Sequence, residues 1–186
     1  VSRAIVREHR RLRGLITQED LKRYNVKYRD PIVGTFKGHK VISMPPPSSG
    51  GAHIVQILNI LENDDLKSLG PQHPKTVHLT ASAMQAAFSD RARYMGDSDF
   101  VKLPLKGLIS KRYAKDLRYG IPESKTLTDT WANYGTDVFK YESPETTHFT
   151  IADGKGNIIV STQTLNGYFG SAVVVPGTGI LLNNEM

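Results

Sequence analysis

The chain has 186 residues, 39% hydrophobic and 23% charged, enough apolar material for one globular domain with a real core. No run approaches the roughly 18 consecutive apolar residues of a membrane-spanning helix, and the opening Val1-Ser2-Arg3-Ala4-Ile5-Val6-Arg7 holds no signal-peptide hydrophobic region. The absence of cysteine excludes disulfides, thiolate metal sites and a cysteine nucleophile, whereas the net charge of +6 leaves nucleic-acid binding to be tested.

Residues 1 to 13 read as the tail of a helix that begins upstream, closed by Gly14. Arg3, Arg7, Arg10, Arg11 and Arg13 concentrate charge there. No aromatic stacking residue lies among them and no nucleic-acid motif follows, so they read as a solvated helix end and no nucleic-acid partner is expected. Thr17 with Asp20 three residues on marks a capped helix start for Gln18 to Tyr24. Pro31 to Ile42 carries Ile32, Phe36 and Val41 in strand-like alternation around a Gly38 turn, and Pro45, Pro46 and Pro47 then stop regular structure.

Ser48, Ser49, Gly50 and Gly51 read as a tight turn and N-cap rather than an anion cradle. They lead into a helix over Ala52 to Asn63 with Ile54, Ile57, Leu58 and Leu61 as its apolar stripe. A second amphipathic helix spans Pro74 to Met95, with Val77, Ala81, Met84, Phe88 and Ala92 on one stripe, Asp90 and Arg91 in surface pairings and Gly96 as a stop. A shorter helix runs from Ser110 to Tyr119, ending at Gly120 before Pro122. His53, His73 and His78 lack metal-ligand spacing and are assigned structural roles; no metal is expected.

From Pro122 to Glu145 apolar periodicity disappears and the segment reads as a long loop, beyond the roughly 12 to 15 residues typical inside a compact domain. His148 to Ala152 and Ile158 to Leu165 then alternate as two strands around Asp153-Gly154-Lys155-Gly156-Asn157, a β-hairpin. Thr146 stands at the start of this hairpin. A threonine becomes a catalytic nucleophile when cutting the bond before it frees an α-amine that can take the hydroxyl proton. Alternation puts His148 on the face of Thr146, and Thr164 on the face of Thr162. An amine base makes a histidine base unnecessary, so His148 is read as structural support.

Four blocks in order carry a resemblance to the γ-glutamyltranspeptidase family of N-terminal nucleophile hydrolases. They are Met44-Pro-Pro-Pro-Ser-Ser-Gly-Gly51 with its helix to Glu62, Asp90-Arg91 with Gly96-Asp-Ser-Asp-Phe-Val101, Thr146-Thr-His148, and Thr164-Leu-Asn166 with Gly179-Ile-Leu-Leu-Asn-Asn-Glu-Met186. The resemblance implies an αββα sandwich, only partly present in this chain, and no cofactor. It implies a precursor cut at Glu145–Thr146, so that residues 1–145 form the end of a large subunit and 146–186 the start of a small catalytic one. In that scheme Thr146 is the nucleophile, the Thr164 hydroxyl supports it, and Asn166 and Glu185 bind the α-amino and α-carboxylate ends of a γ-glutamyl group.

The implied substrates are glutathione and other γ-glutamyl compounds, with water, amino acids or dipeptides as acceptors. The implied partners are the remaining large- and small-subunit segments, and the implied location is periplasmic or secreted for a bacterial member. Other elements of the family's site, among them its oxyanion serines and a large-subunit arginine, do not occur in these residues. The chain alone is therefore expected to be an inactive or uncleaved piece, prone to self-association through exposed edges. Alternatives are a poly-γ-glutamate depolymerase or β-lactam-side-chain acylase of the same superfamily, or a non-catalytic assembly domain.

Overall fold

A computed structural model describes residues 1–127 and 146–184. These fall into two compact units, one joining Val1–Lys27 to the segment from 146 onward and the other beginning at Tyr28.

In the first unit, α1 (Ser2–Arg11) ends at Leu12 in a Schellman turn. The Arg13 amide donates to the Arg10 carbonyl (3.2 Å) and the Gly14 amide to the His9 carbonyl (2.6 Å). The left-handed residue is Arg13 (φ 60°), not the expected Gly14. Gly14 instead leaves room for the His9 ring: a Cβ there would stand 2.3 Å from His9 Nδ1, so a larger residue would displace the ring. The helix α2 (Gln18–Arg23) starts as its sequence predicts, in a reciprocal capping box. The Asp20 amide donates to Thr17 Oγ1 (3.2 Å) and the Thr17 amide to Asp20 Oδ2 (2.8 Å); the Thr17 hydroxyl also donates to Asp20 Oδ2 (2.6 Å), and that bond first, then the one from the Thr17 amide, holds the Asp20 carboxyl below the usual range.

The rest of this unit is two antiparallel ribbons, β3 (Thr146–Ala152) with β4 (Ile158–Thr164), and β5 (Val174–Val175) with β6 (Ile180–Leu181). Val175 is fully buried, and α1, whose Val6 is also buried, packs on β5.

The second unit is organised around α3 (Gly50–Leu61), which touches β1 (Ile32–Phe36) and β2 (His39–Ser43) as well as α5 (Pro74–Tyr94), α6 (Leu105–Leu108) and α7 (Lys111–Gly120). The β1–β2 turn has Lys37 and Gly38 both at positive φ (47° and 84°), the two-residue geometry that matches strand twist. Gly34 lets this ribbon lie on α3, since a Cβ there would stand 2.5 Å from Val55. Gly51 packs equally closely against the Met44 carbonyl. Ile60, Leu61, Leu79, Ala83, Ala86, Ala114, Leu117 and Ile121 form the core.

The helix boundaries fall within two residues of the sequence reading, with α3 starting at Gly50 inside the expected glycine turn, but two helix faces differ from it. On α3, Ile54 is exposed while His53, Gln56 and Asn59 are buried. On α5 the expected stripe of Val77, Met84 and Phe88 faces out, and Leu79, Ala83, Ala86 and Asp90 face in. Small residues let α5 approach α3 closely, and the buried polar groups partner one another. His53 Nδ1 donates to Gln56 Oε1 (2.8 Å), Gln56 Nε2 donates to Asp90 Oδ2 (2.5 Å), and the Tyr113 hydroxyl bonds the same carboxylate at 2.9 and 3.0 Å. Asp90 is thus a core residue, not half of a surface pairing. Arg91 donates through Nε to Ser49 Oγ (2.9 Å), so Ser49 stands at the α3 N-cap position without capping the helix.

His73 caps α5 by accepting from the Lys75 amide (3.2 Å), and the His78 ring bonds the Pro122 carbonyl (2.7 Å). Arg118 grips Asp64 with two bonds (2.8 and 2.9 Å), tying α7 to the chain just after α3. The four-residue helices α4 (Leu66–Leu69) and α6 are too short to show a period, and the sequence reading did not include them. Most of the expected long loop, residues 128–145, lies outside the described residues.

Candidate active site

The hairpin turn sets the site's register. Asp153 Oδ1 accepts from the Lys155 amide (2.9 Å) and the Asn157 amide (2.8 Å), and Oδ2 accepts from Asn157 Nδ2 (2.7 Å). These bonds, the Asn157 side chain first, hold the Asp153 carboxyl below its ordinary range. Gly156 supplies the left-handed residue (φ 84°) that the five-residue loop requires.

From this turn the strands zip in the order Ala152 with Ile158, Thr150 with Val160, His148 with Thr162 and Thr146 with Thr164. Thr146 and Thr164 therefore face each other as the last pair of the described ladder, on one side of the sheet. Side chains directly opposite in an antiparallel pair stand about 4.5–5.5 Å apart at Cβ, within reach of each other's hydroxyls.

Thr164 is oriented from its own strand end. Its Oγ1 accepts from the Asn166 amide (2.9 Å), and Asn166 turns the chain out of the strand in a left-handed conformation (φ 71°). The C-terminal segment folds back beside this turn. The Asn184 amide donates to the Leu165 carbonyl (3.3 Å), and Asn184 Oδ1 accepts from the Gly167 amide (3.2 Å). The Ser171 amide and hydroxyl both donate to the Leu182 carbonyl (2.9 and 3.1 Å). Gly170 makes this approach possible: its φ is +51°, and a Cβ would stand 2.2 Å from the Leu182 oxygen.

The structure thus brings together Thr146 and Thr164, and separately sets Asn166 beside Asn184. Thr146 and Thr164 are exposed and Asn166 is half-buried. Glu145 and Glu185 lie outside the described residues. The sequence reading missed the support from Asn184, and it read His148 as structural support without naming its partner. Asn184 anchors the returning segment, which only the doubled Asn183-Asn184 hinted at. His148 bonds Thr162 Oγ1 through Nδ1 (2.8 Å), a partner that strand alternation alone does not identify. Among the described residues no group of three or more His, Cys, Asp or Glu side chains is placed to hold a metal ion. None of the described helices is long and apolar enough to cross a membrane.

A threonine pair at the end of the described ladder and an asparagine turn braced by a returning segment present the hydroxyl and amide groups that nucleophilic attack and polar recognition use. Comparison with known proteins gives this arrangement a family. The family model described as Gamma-glutamyltranspeptidase matches residues 1–186. The chain is 45% identical, over its whole length, to a glutathione hydrolase proenzyme of Escherichia coli, of which it covers 32%. It is 46% identical over 173 residues, 93% of its length, to an acylase ACY 1 proenzyme of a Pseudomonas species, covering 30% of that protein.

In three dimensions it resembles the crystal structure of Helicobacter pylori gamma-glutamyltranspeptidase, with a TM-score of 0.68 at 43% identity over 76% of this chain and 40% of the other. The chain spans about a third of the length of the curated relatives it matches. Its fold is the α/β fold of the N-terminal nucleophile hydrolases, of which these residues form a part. From the match over all its residues and the identity it keeps with these relatives, the chain belongs to the gamma-glutamyltranspeptidase family.

Proposed function

We propose that the protein carrying this chain is a self-processing γ-glutamyl transferase and hydrolase with Thr146 as its nucleophile. The observation that supports this most directly is the pairing of Thr146 with Thr164 at the open end of the hairpin. In maturation the Thr146 hydroxyl adds to the Glu145 carbonyl carbon and the peptide C–N bond breaks, leaving an ester on Thr146 Oγ and a free Thr146 amine. Water then cleaves the ester, returning the hydroxyl and leaving Glu145 as a carboxylate. Residues 1–145 end a large subunit and 146–186 begin a small one.

In turnover the amine of Thr146 takes the proton of its own hydroxyl, and the oxygen attacks the γ-carbonyl of glutathione or another γ-glutamyl compound. The leaving amine receives that proton, and a γ-glutamyl ester remains on Thr146. Water gives glutamate, whereas an amino acid or dipeptide gives a new γ-glutamyl amide. Thr164, fixed by the Asn166 amide, supports the nucleophile through its hydroxyl. Asn166 and Glu185 between them bind the α-amino and α-carboxylate ends of the γ-glutamyl group: the Glu185 carboxylate is the natural partner for the ammonium, and the Asn166 amide can hydrogen-bond either end. The remaining large- and small-subunit segments complete the pocket, and a periplasmic or secreted location fits a bacterial member.

A second reading, an acylase acting on β-lactam side chains, draws support from the equal identity to the acylase ACY 1 proenzyme. The two differ chemically at one group: a glutaryl amide lacks the α-ammonium that Glu185 would bind. Rates of the full-length gene product on a γ-glutamyl anilide and a glutaryl anilide separate them. The γ-glutamyl reading predicts a strong preference for the first, reduced by Glu185→Gln; a preference for the glutaryl compound would overturn it.

A further inference from the structure

We propose that His148 is a positioning residue that keeps Thr146 in register with Thr164 through its hydrogen bond to Thr162. The inference rests on the reading of Thr146 as nucleophile and adds a residue to it. Thr146 with Thr164 is the terminal pair of the described ladder, and His148 with Thr162 is the next pair inward on the same face. A strand that begins at a fresh chain end frays unless cross-strand contacts hold it. The 2.8 Å bond from the His148 ring to Thr162 Oγ1 ties the two strands together one same-face step from that end.

The two members of the terminal pair are held differently. Thr164 is fixed from its own side by the Asn166 amide at 2.9 Å. Thr146 is tethered in both chain directions only until the bond before it is cut. Afterwards it is a chain end, and its placement opposite Thr164 depends on the residues just after it on β3. His148 is the nearest of these with its side chain on the same face. The cross-strand bond therefore matters more for turnover by the cut protein than for the cut itself. It also needs no proton transfer, because either neutral tautomer of the ring satisfies a hydroxyl that both donates and accepts.

The test uses the full-length gene product with His148→Ala, Thr162→Val, the two combined, and His148→Asn, whose amide reaches the place of Nδ1. Cleavage is followed by intact mass, and kcat and KM on a γ-glutamyl anilide are measured across pH. A small misplacement of a reacting group costs up to about 100-fold in rate. His148→Ala and Thr162→Val are therefore each expected to lower kcat by about 10- to 100-fold, with cleavage slowed less. The double variant should be no worse than the singles, and His148→Asn should recover most of kcat with the acid limb of the pH profile unmoved.

Wild-type kcat in both Thr162→Val and His148→Ala would overturn the proposal. So would failure of His148→Asn together with loss of the acid limb, the signature of a base. A wild-type protein that neither cuts nor turns over would instead defeat the nucleophile reading on which the proposal stands.

Discussion

Replacing Gln56 with leucine removes the middle of a buried relay while roughly keeping its volume. Gln56 is fully buried, accepting from His53 Nδ1 and donating to Asp90 Oδ2. Leucine leaves the His53 N–H without an acceptor. It also takes one donor from a carboxylate that is itself 1% exposed and retains only the Tyr113 hydroxyl among its bonds described above. Abandoning a buried polar group costs about 1–3 kcal/mol, more for a charged one. Two such groups give a destabilisation of about 2–6 kcal/mol, with about 4 kcal/mol as the central expectation.

Urea denaturation measures it. With a slope of about 2 kcal/mol per molar urea, a loss of about 4 kcal/mol lowers the midpoint by about 2 M. Ile54→Ala, on the exposed side of the same helix, serves as the control and should cost well under half as much. A Gln56→Leu variant within about 0.5 kcal/mol of wild type would refute the reasoning, because the relay would then be solvated or unmade.

Other outcomes follow from the same geometry. Burial, with the nearby Arg91 cation adding to it, lowers the folded-state pKa of His53 below its ordinary value of 6.5, against the opposing pull of Gln56 and Asp90. The unfolded chain therefore takes up this proton first as pH falls. Stability attributable to His53 is intact above pH about 6.5 and is lost as pH falls from there through the lower folded pKa, by at most about 1.4 kcal/mol per pH unit. Denaturation midpoints from pH 8 to 5 in wild type and His53→Gln test this; parallel curves for the two would contradict it.

Gly170→Ala forces an alanine into left-handed backbone, at about 1–2 kcal/mol, and drives its Cβ into the Leu182 carbonyl. The returning segment should shift away from Leu165 and Gly167, raising KM for a γ-glutamyl donor more than it lowers kcat. An unchanged KM would show that this segment does not shape the pocket.

The elements were largely legible because their punctuation is local. Thr17 with Asp20, the Gly38 turn, Pro74 at the start of α5 and the Asp153–Asn157 loop each act within a few residues, and each appears where the sequence put it. Helix faces were less legible. Apolar periodicity assumes that polar side chains face water, and α3 and α5 break the assumption by burying His53, Gln56, Asn59 and Asp90.

The polar groups are paired across 34 residues of sequence in the case of Gln56 and Asp90, a distance at which no local pattern speaks. At the site, alternation and turn chemistry located the hairpin, whereas the association of Thr164 with Thr146 was expected from the family resemblance; the ladder sets the two opposite each other. The return of Asn184 to Leu165 was not legible, since it depends on a chain reversal outside the hairpin rather than on spacing; the bond from His148 to Thr162 was not legible because it depends on side-chain orientation across the two strands.

The most direct measurement is the intact mass and N-terminal sequence of the full-length gene product after incubation at neutral pH. The account predicts two polypeptides, the smaller beginning Thr146-Thr147-His148-Phe149, and a single uncut chain in Thr146→Ala. A wild-type chain that stays whole, or that is cut at another bond, would contradict it.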